Sequence, residues 1–341
     1  MEPAHTLDAA ARWRRFALNE TPKHSAVMYA WALGASEDAE VMALVEQLPA
    51  RERQPNLVLA AARAVDPSLI DADYPRLREV LLTRWSEVSA ITATHHTQTN
   101  EAARLAVMLP ALAELHRRTG RELALIELGA SAGLALHPDL WRFRYADRAG
   151  RVLSEFGPTD RPVLEVTVKG DVALPERLPP IAWRLGVDLN PLNPLNQQDA
   201  EWLRTLVWPG QDDRLERLEA ALEVARVDPV LVLARDITHP DMLDEVLALV
   251  PTDYLPVVCH GAVMAYLDTD DRAALDQRLM GRVRAGGLHW LSNEGQLVVP
   301  TVAAALGARP EFASALRKGA FIVALDGVPH YQADGHAAWI L

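Results

Sequence analysis

The chain has 341 residues, half of them hydrophobic, which suits one large or two modest globular domains and argues against disorder. With 46 acidic against 34 basic residues the formal charge is −12, which disfavours a nonspecific nucleic-acid role, and one cysteine, Cys259, excludes an intramolecular disulfide or a multi-cysteine zinc site. No apolar run is long enough for a membrane span, and MEPAHTLDAAARWRRF at the amino end lacks a signal-peptide core, so a soluble cytoplasmic protein is expected. No H-E-x-x-H spacing occurs among the histidines, and no metal is expected.

Residues 1–119 read as helices and form the expected N-terminal domain. SEDAEVMALVEQL (36–48) opens on a capping serine with acids in its first turn and puts Val41, Leu44, Val45 and Leu48 on one face. PNLVLAAARAV (55–65) starts at a proline and stops before Asp66-Pro67. RLREVLLTRWSEVSAI (76–91) and TNEAARLAVMLPALAELHRRTG (99–120) are longer; Pro110 should kink the second and Gly120 end it.

From residue 123 short apolar runs alternate with helical stretches, the pattern of a mostly parallel sheet covered on both faces, over a second domain of 120–341. LALIEL (123–128) is a buried strand. WRFRYA (141–146) and VLEVTVKGD (163–171) alternate, suggesting an antiparallel β insertion at about 138–180. Further strands are expected in AWRLGVDLNP (182–191), PVLVLARDIT (229–238), YLPVVCHGAV (254–263) and GGLHWLSNEG (286–295), with helices at 198–226, 240–249 and 270–284. AFIVALDGV and HAAWIL should close the chain as a hairpin, which as an antiparallel pair suits a sheet edge.

Ligands of open parallel sheets bind outside the carboxyl ends of the strands. Here those ends carry Glu127 with Gly129 to Gly133, then Asp188, then Asp236 with Ile237, then Cys259-His260, then Asn293-Glu294. Gly129 and Gly133 allow unusual φ/ψ and close approach of a cofactor to the backbone. Asp188 can accept both hydroxyls of a ribose, or alternatively cap the turn in DLNPLNP. Cys259, inside an apolar run, is expected to be a buried small hydrophobe.

Gly129-Ala130-Ser131-Ala132-Gly133 also fits G-x-S-x-G, the elbow of a serine hydrolase. That elbow needs an oxyanion loop from an earlier strand, yet everything before residue 123 reads helical; Asp236 with His260 or His336 could still complete a triad. Glu127 suits a loop holding a positively charged cofactor, so Ser131 is expected to be a small lining residue.

Several stretches resemble an uncharacterised bacterial family, domain of unknown function 2332. They are QTNEAARLAVMLPAL (98–112), ELGASAGLAL (127–136) with WRFRY after it, GVDLNPLNP (186–194), WLRTLVWPGQDDRLERL (202–218) and the late SNE and DGHAAW. In fold that family resembles class I S-adenosylmethionine-dependent methyltransferases. The resemblance implies a three-layer, Rossmann-like, mostly parallel seven-stranded sheet with an antiparallel C-terminal hairpin, preceded by an all-α domain. It also implies S-adenosylmethionine as cofactor and a small-molecule acceptor. Two departures stand out. Asp188 follows Gly133 at more than twice the roughly 20-residue spacing usual for the ribose acid, and His260 stands where a D/N-P-P-Y signature is usual.

Methyl transfer needs alignment, and a base only where the acceptor must lose a proton. His260 is the first candidate base and Glu294 the second; a histidine beside an apolar strand serves equally as a satisfied core residue. Gln98, Asn100, Glu101 and Arg104 open a long helix and can cover the cofactor or fix the acceptor, or build a domain interface. Arg142 and Arg144 can hold an anionic acceptor or simply line a solvated strand face, and His336 can reach the cleft or shape the last hairpin. Three functions stay open: a methyltransferase for a small metabolite, anionic or neutral, a nucleotide- or cofactor-binding module without chemistry, and a serine hydrolase.

Overall fold

The computed structural model describes residues 8–22, 24–98, 100–308, 316–317 and 319–341. Two compact units result: Met1–Thr99 with Asn196–Leu218, and Asn100–Leu195 with Glu219–Leu341. Among the described residues no helix is long and apolar enough to cross a membrane.

The first unit begins with α1 (Ala9–Asn19), α2 (Ala26–Ser36), α3 (Ala39–Val45), α4 (Pro55–Val65), α5 (Tyr74–Thr83) and α6 (Trp85–Thr94). The chain then enters the second unit with α7 (Arg104–Thr119) and returns for α8 (Gln197–Leu206) and the start of α9 (Asp212–Val227), inside which the division falls. Thr99, at the start of the stretch predicted as one helix to Gly120, lies outside the described residues. Side-chain caps set the helix starts: Ser25, Asp38 and Asp73 accept from the amides of Met28, Val41 and Arg76. Asp38 displaces the expected Ser36 as the cap of α3 because its carboxylate reaches two free amides, those of Glu40 and Val41. The helix expected over 76–91 is two, broken at Arg84 (φ −123, ψ 26). That expected over 198–226 is likewise two, broken before α9 where Gly210 takes φ +82. Trp13 and Trp31 are fully buried in this core, and their indole N–H groups donate to Arg53 O (3.2 Å) and Ala72 O (2.9 Å).

The second unit carries one sheet. Its strands are β1 (Leu123–Leu128), β2 (Arg142–Ala146), β3 (Val152–Phe156), β4 (Val163–Val168), β5 (Ile181–Asp188), β6 (Val232–Ala234), β7 (Leu255–Gly261), β8 (His289–Gly295), β9 (Phe321–Leu325), β10 (Val328–Ala333) and β11 (Trp339–Ile340). They lie in the order β3-β2-β4-β11-β10-β9-β8-β7-β1-β5-β6. The sheet is mixed and mostly parallel, and it has 11 strands where seven were expected. β6, β5, β1, β7 and β8 run parallel, and β9 returns antiparallel beside β8. Three of the additional strands come from the insertion, where the two expected strands, β2 and β4, pair parallel rather than antiparallel. The antiparallel partner of β2 is β3, which was not expected, and β4 also pairs parallel with β11. The terminal hairpin also differs. β9 turns through Asp326 and Gly327 (φ 54 and 78), the left-handed pair of a two-residue hairpin, into VPHYQA, and HAAWIL instead supplies β11 between β10 and β4.

One face of the sheet packs Ile126, Leu128, Val258 and Trp290 against α10 (Met242–Leu247), α11 (Thr269–Arg284) and α12 (Pro300–Gly307). Helix α7 packs against β4, β8 and β9. Nine of its residues are buried, and Gly120 ends it in the left-handed conformation. Pro110 has no N–H to give Ala106 O four residues back. The Tyr145 hydroxyl from β2 donates to that carbonyl at 2.7 Å instead, and the Tyr331 hydroxyl from β10 donates to Val107 O at 2.8 Å. Tyr145→Phe should therefore leave a buried carbonyl unpaired and lower stability by about 1–3 kcal/mol. In a Pro110→Ala background, where residue 110 can donate, urea unfolding should show a smaller loss for the same change.

Candidate functional site

The chain order reverses beside β1: β5 and β6 lie to one side, β7 and β8 to the other. Such a switch point parts the flanking loops at the carboxyl edge, here residues 129–133 after β1 and 262–264 after β7. Each loop holds a non-glycine residue in the left-handed region, Ser131 (φ 53) and Ala262 (φ 57). Strain of about 1–3 kcal/mol at such residues persists only where the surroundings enforce it, and it gathers at functional sites.

The loop glycines have a structural cause. Gly129 and Gly133 take φ 72 and 70. A Cβ on Gly129 would stand 2.4 Å from a Val263 methyl, and one on Gly133 would stand 3.2 Å from a Val232 methyl. The room expected over Gly129 for a cofactor is thus filled by Val263. Gly261 is different: a Cβ there would meet Asn293 O at 3.5 Å, Arg104 Cδ at 3.6 Å and Asn293 Cβ at 3.8 Å, which are ordinary contacts.

Strand alternation sends Glu127, Gly261 and Asn293 to the face where Arg104 lies at the start of α7, with Arg104 Nη1 donating to Gly261 O at 3.2 Å. Several buried polar atoms here have no hydrogen-bond partner among the described residues. They are Glu127 Oε2, Ser131 Oγ, Arg104 Nε and both amide atoms of Asn293, which is 0% exposed. Burial pushes the Glu127 carboxyl up to about 8, with Asp188 adding to the rise and Arg104 opposing it. Glu127 is therefore mostly uncharged at neutral pH. Cys259, its neighbour across β7, is buried, and burial together with Glu127 raises its thiol well above the usual range, so it is no nucleophile.

His260 and Glu294 sit on the opposite face, beside Trp290. The Trp290 indole only donates, and it donates to His260 Nε2 at 2.9 Å, so the ring proton is on Nδ1 and faces Glu294 Oε1 at 2.8 Å. The same Glu294 oxygen accepts from the amides of Val263 (2.8 Å) and Met264 (3.0 Å). Both ring nitrogens are therefore occupied, and the pair fixes the loop after β7. Ser131 Oγ meets no imidazole, so the hydrolase triad is not assembled.

Asp188 divides its carboxylate between the Ser131 amide (Oδ2, 2.8 Å) and the Asn190 amide (Oδ1, 2.8 Å), which is the turn-capping geometry. Asp236 is exposed and accepts from the amide and hydroxyl of Thr238, bonds that hold its carboxyl below the usual range; Ile237 beside it is buried. Asn100 Nδ2 donates to Ala130 O at 2.9 Å, pinning the β1 loop, and buried Glu101 accepts from the Ala103 amide at 3.1 Å. Gln98 belongs to the first unit. Arg142 and Arg144 lie on β2, separated from β1 by six strands in the sheet order, and their guanidinium groups pair with Glu155 and Glu165, which removes them as a free anion clamp. His336 lies exposed in the turn between β10 and β11. Asn293 and Val263 were not among the expected site residues. Asn293 was visible only as the neighbour of a charged glutamate.

No curated protein matches the chain. A family model described as "Uncharacterized protein conserved in bacteria (DUF2332)" matches residues 10–340, almost the whole length. The chain belongs to this bacterial family.

Proposed function

We propose that the protein is an S-adenosylmethionine-dependent methyltransferase for a small metabolite, with the cofactor held at the β1–β7 switch point. The observation that carries this reading is Glu127: a buried carboxyl, Oε2 without a partner, standing beside a strained loop at that edge. Removing a carboxylate from water without a counterion is costly, and a sulfonium is a cation that would supply one. The residues present fit such a group through Glu127 and Ser131 Oγ, but not through Gly129, where Val263 already packs. When bound, the cofactor supplies an electrophilic methyl group for in-line displacement. The chain's own part is to ionise Glu127 against the positive charge and to hold the loop in place through Asp188 and Asn100. His260 and Glu294 position the loop after β7 and hold their proton between them.

A second reading, a cofactor-binding module without chemistry, is favoured by that occupied imidazole, since both ring nitrogens of the first candidate base, His260, are already bonded. Calorimetric titration with S-adenosylmethionine and S-adenosylhomocysteine tests the shared premise; micromolar binding of either supports it, and no heat from both removes it. Methyl-labelled cofactor with a metabolite extract divides the two readings, since a binder transfers no label. Asp188→Ala should weaken the cofactor roughly tenfold or more if the ribose shares this carboxylate, and less than about twofold if it only caps the turn.

A further inference from the structure

We propose that Arg104 and Asn293, whose buried unpartnered groups lie beside Gly261, form a subsite for a carboxylate, and that the methyl acceptor carries one. The second clause rests on the methyltransferase reading; the first does not. Three observations converge on one point. Gly261 is the glycine of the switch point whose missing Cβ leaves ordinary contact distances of 3.5–3.8 Å, all to Arg104 and Asn293. Arg104 Nε is buried with no partner, although Nη1 of the same guanidinium is anchored on Gly261 O. Asn293 is wholly buried with neither amide atom partnered.

The polarity of the guanidinium N–H is fixed, whereas the Asn293 amide can turn either end toward a ligand. The fixed donor therefore selects the ligand atom: an acceptor oxygen, with the Asn293 NH2 as second donor. A carboxylate satisfies both, and charge-assisted hydrogen bonds to Arg are the stronger kind. The groups facing Glu127 are Arg104 from α7, Asp188 from β5 and Cys259 from β7. In the ligand-free chain Glu127 is uncharged below pH about 8, and beside a bound sulfonium its charge is offset by that cation, so in both states the anion meets Arg104 without an uncompensated charge on Glu127. This also replaces Arg142 and Arg144, already paired with glutamates, as the place where an anionic acceptor is recognised.

The test uses the full chain with acetate and benzoate as probes, acetamide and benzamide as neutral counterparts, and sodium chloride to hold ionic strength constant. Thermal unfolding should show a saturable rise in Tm with the carboxylates and none with the amides, and the rise should fade as pH passes through about 8. Gly261→Ala fits the measured space, should fold with Tm near that of the parent, and should weaken carboxylate binding roughly tenfold or more; Asn293→Leu should do the same. No response in the parent protein overturns the subsite, as does an undiminished response in both variants or a Gly261→Ala chain that fails to fold. S-adenosylmethionine titrated into the same samples keeps the questions apart. Carboxylate binding without cofactor binding retains the subsite and removes the methyltransferase reading, and the reverse result does the opposite.

Discussion

Replacing Glu127 with Gln should make the ligand-free protein more stable at pH 9 and leave it nearly unchanged at pH 4. A carboxyl raised by burial from its ordinary 4.5 to about 8 stays protonated in the fold where the unfolded chain has already lost the proton. Its contribution is therefore complete below pH 4.5 and is lost as pH rises through about 8. Over that interval each pH unit should cost about 1.4 kcal/mol. Glutamine keeps the size and hydrogen-bonding end but carries no charge to desolvate, so the slope should vanish. Urea unfolding of both proteins from pH 4 to 9 measures it. Parallel curves for parent and variant would mean that Glu127 is solvated or paired in the folded state.

His260→Ala should lower stability by about 3–5 kcal/mol, the range for opening a cavity while stranding buried polar groups. The imidazole is 1% exposed, accepts from Trp290 and donates to Glu294, and Glu294 in turn holds the amides of Val263 and Met264. Removing it leaves an indole N–H without an acceptor and loosens the carboxylate that anchors the loop after β7. That effect falls on unfolding in urea whether or not any ligand is present. A His260→Ala protein with parental stability and abolished methyl transfer would instead give the imidazole a catalytic role.

The sequence carried the parallel part of the sheet clearly, because buried strands such as LALIEL appear as apolar runs closed by polar or glycine residues. It hid β3, whose Val152 and Leu153 are exposed on the sheet's edge and break the alternation that marks a half-buried strand. It also hid β10, VPHYQA, and with it the place of HAAWIL, which was expected to pair with AFIVALDGV and instead forms β11 between β10 and β4. At the site, the acid and glycines after β1 were legible from their spacing, but the reason for Gly129 was not, since Val263 reaches it only in the folded protein. Charge drew attention to Glu294 over Asn293. Only the pleat of β8 decides that the glutamate faces His260 while the amide faces Arg104 across Gly261.

A buried, mostly protonated Glu127 that ionises against a cationic ligand is the proposition on which the rest depends. It is tested most directly by calorimetric titration of S-adenosylmethionine at pH 7 in two buffers of different ionisation enthalpy. Binding should release about one proton per site, with affinity rising toward pH 9 as the carboxyl ionises unaided. No binding, or binding with no proton released, would contradict it.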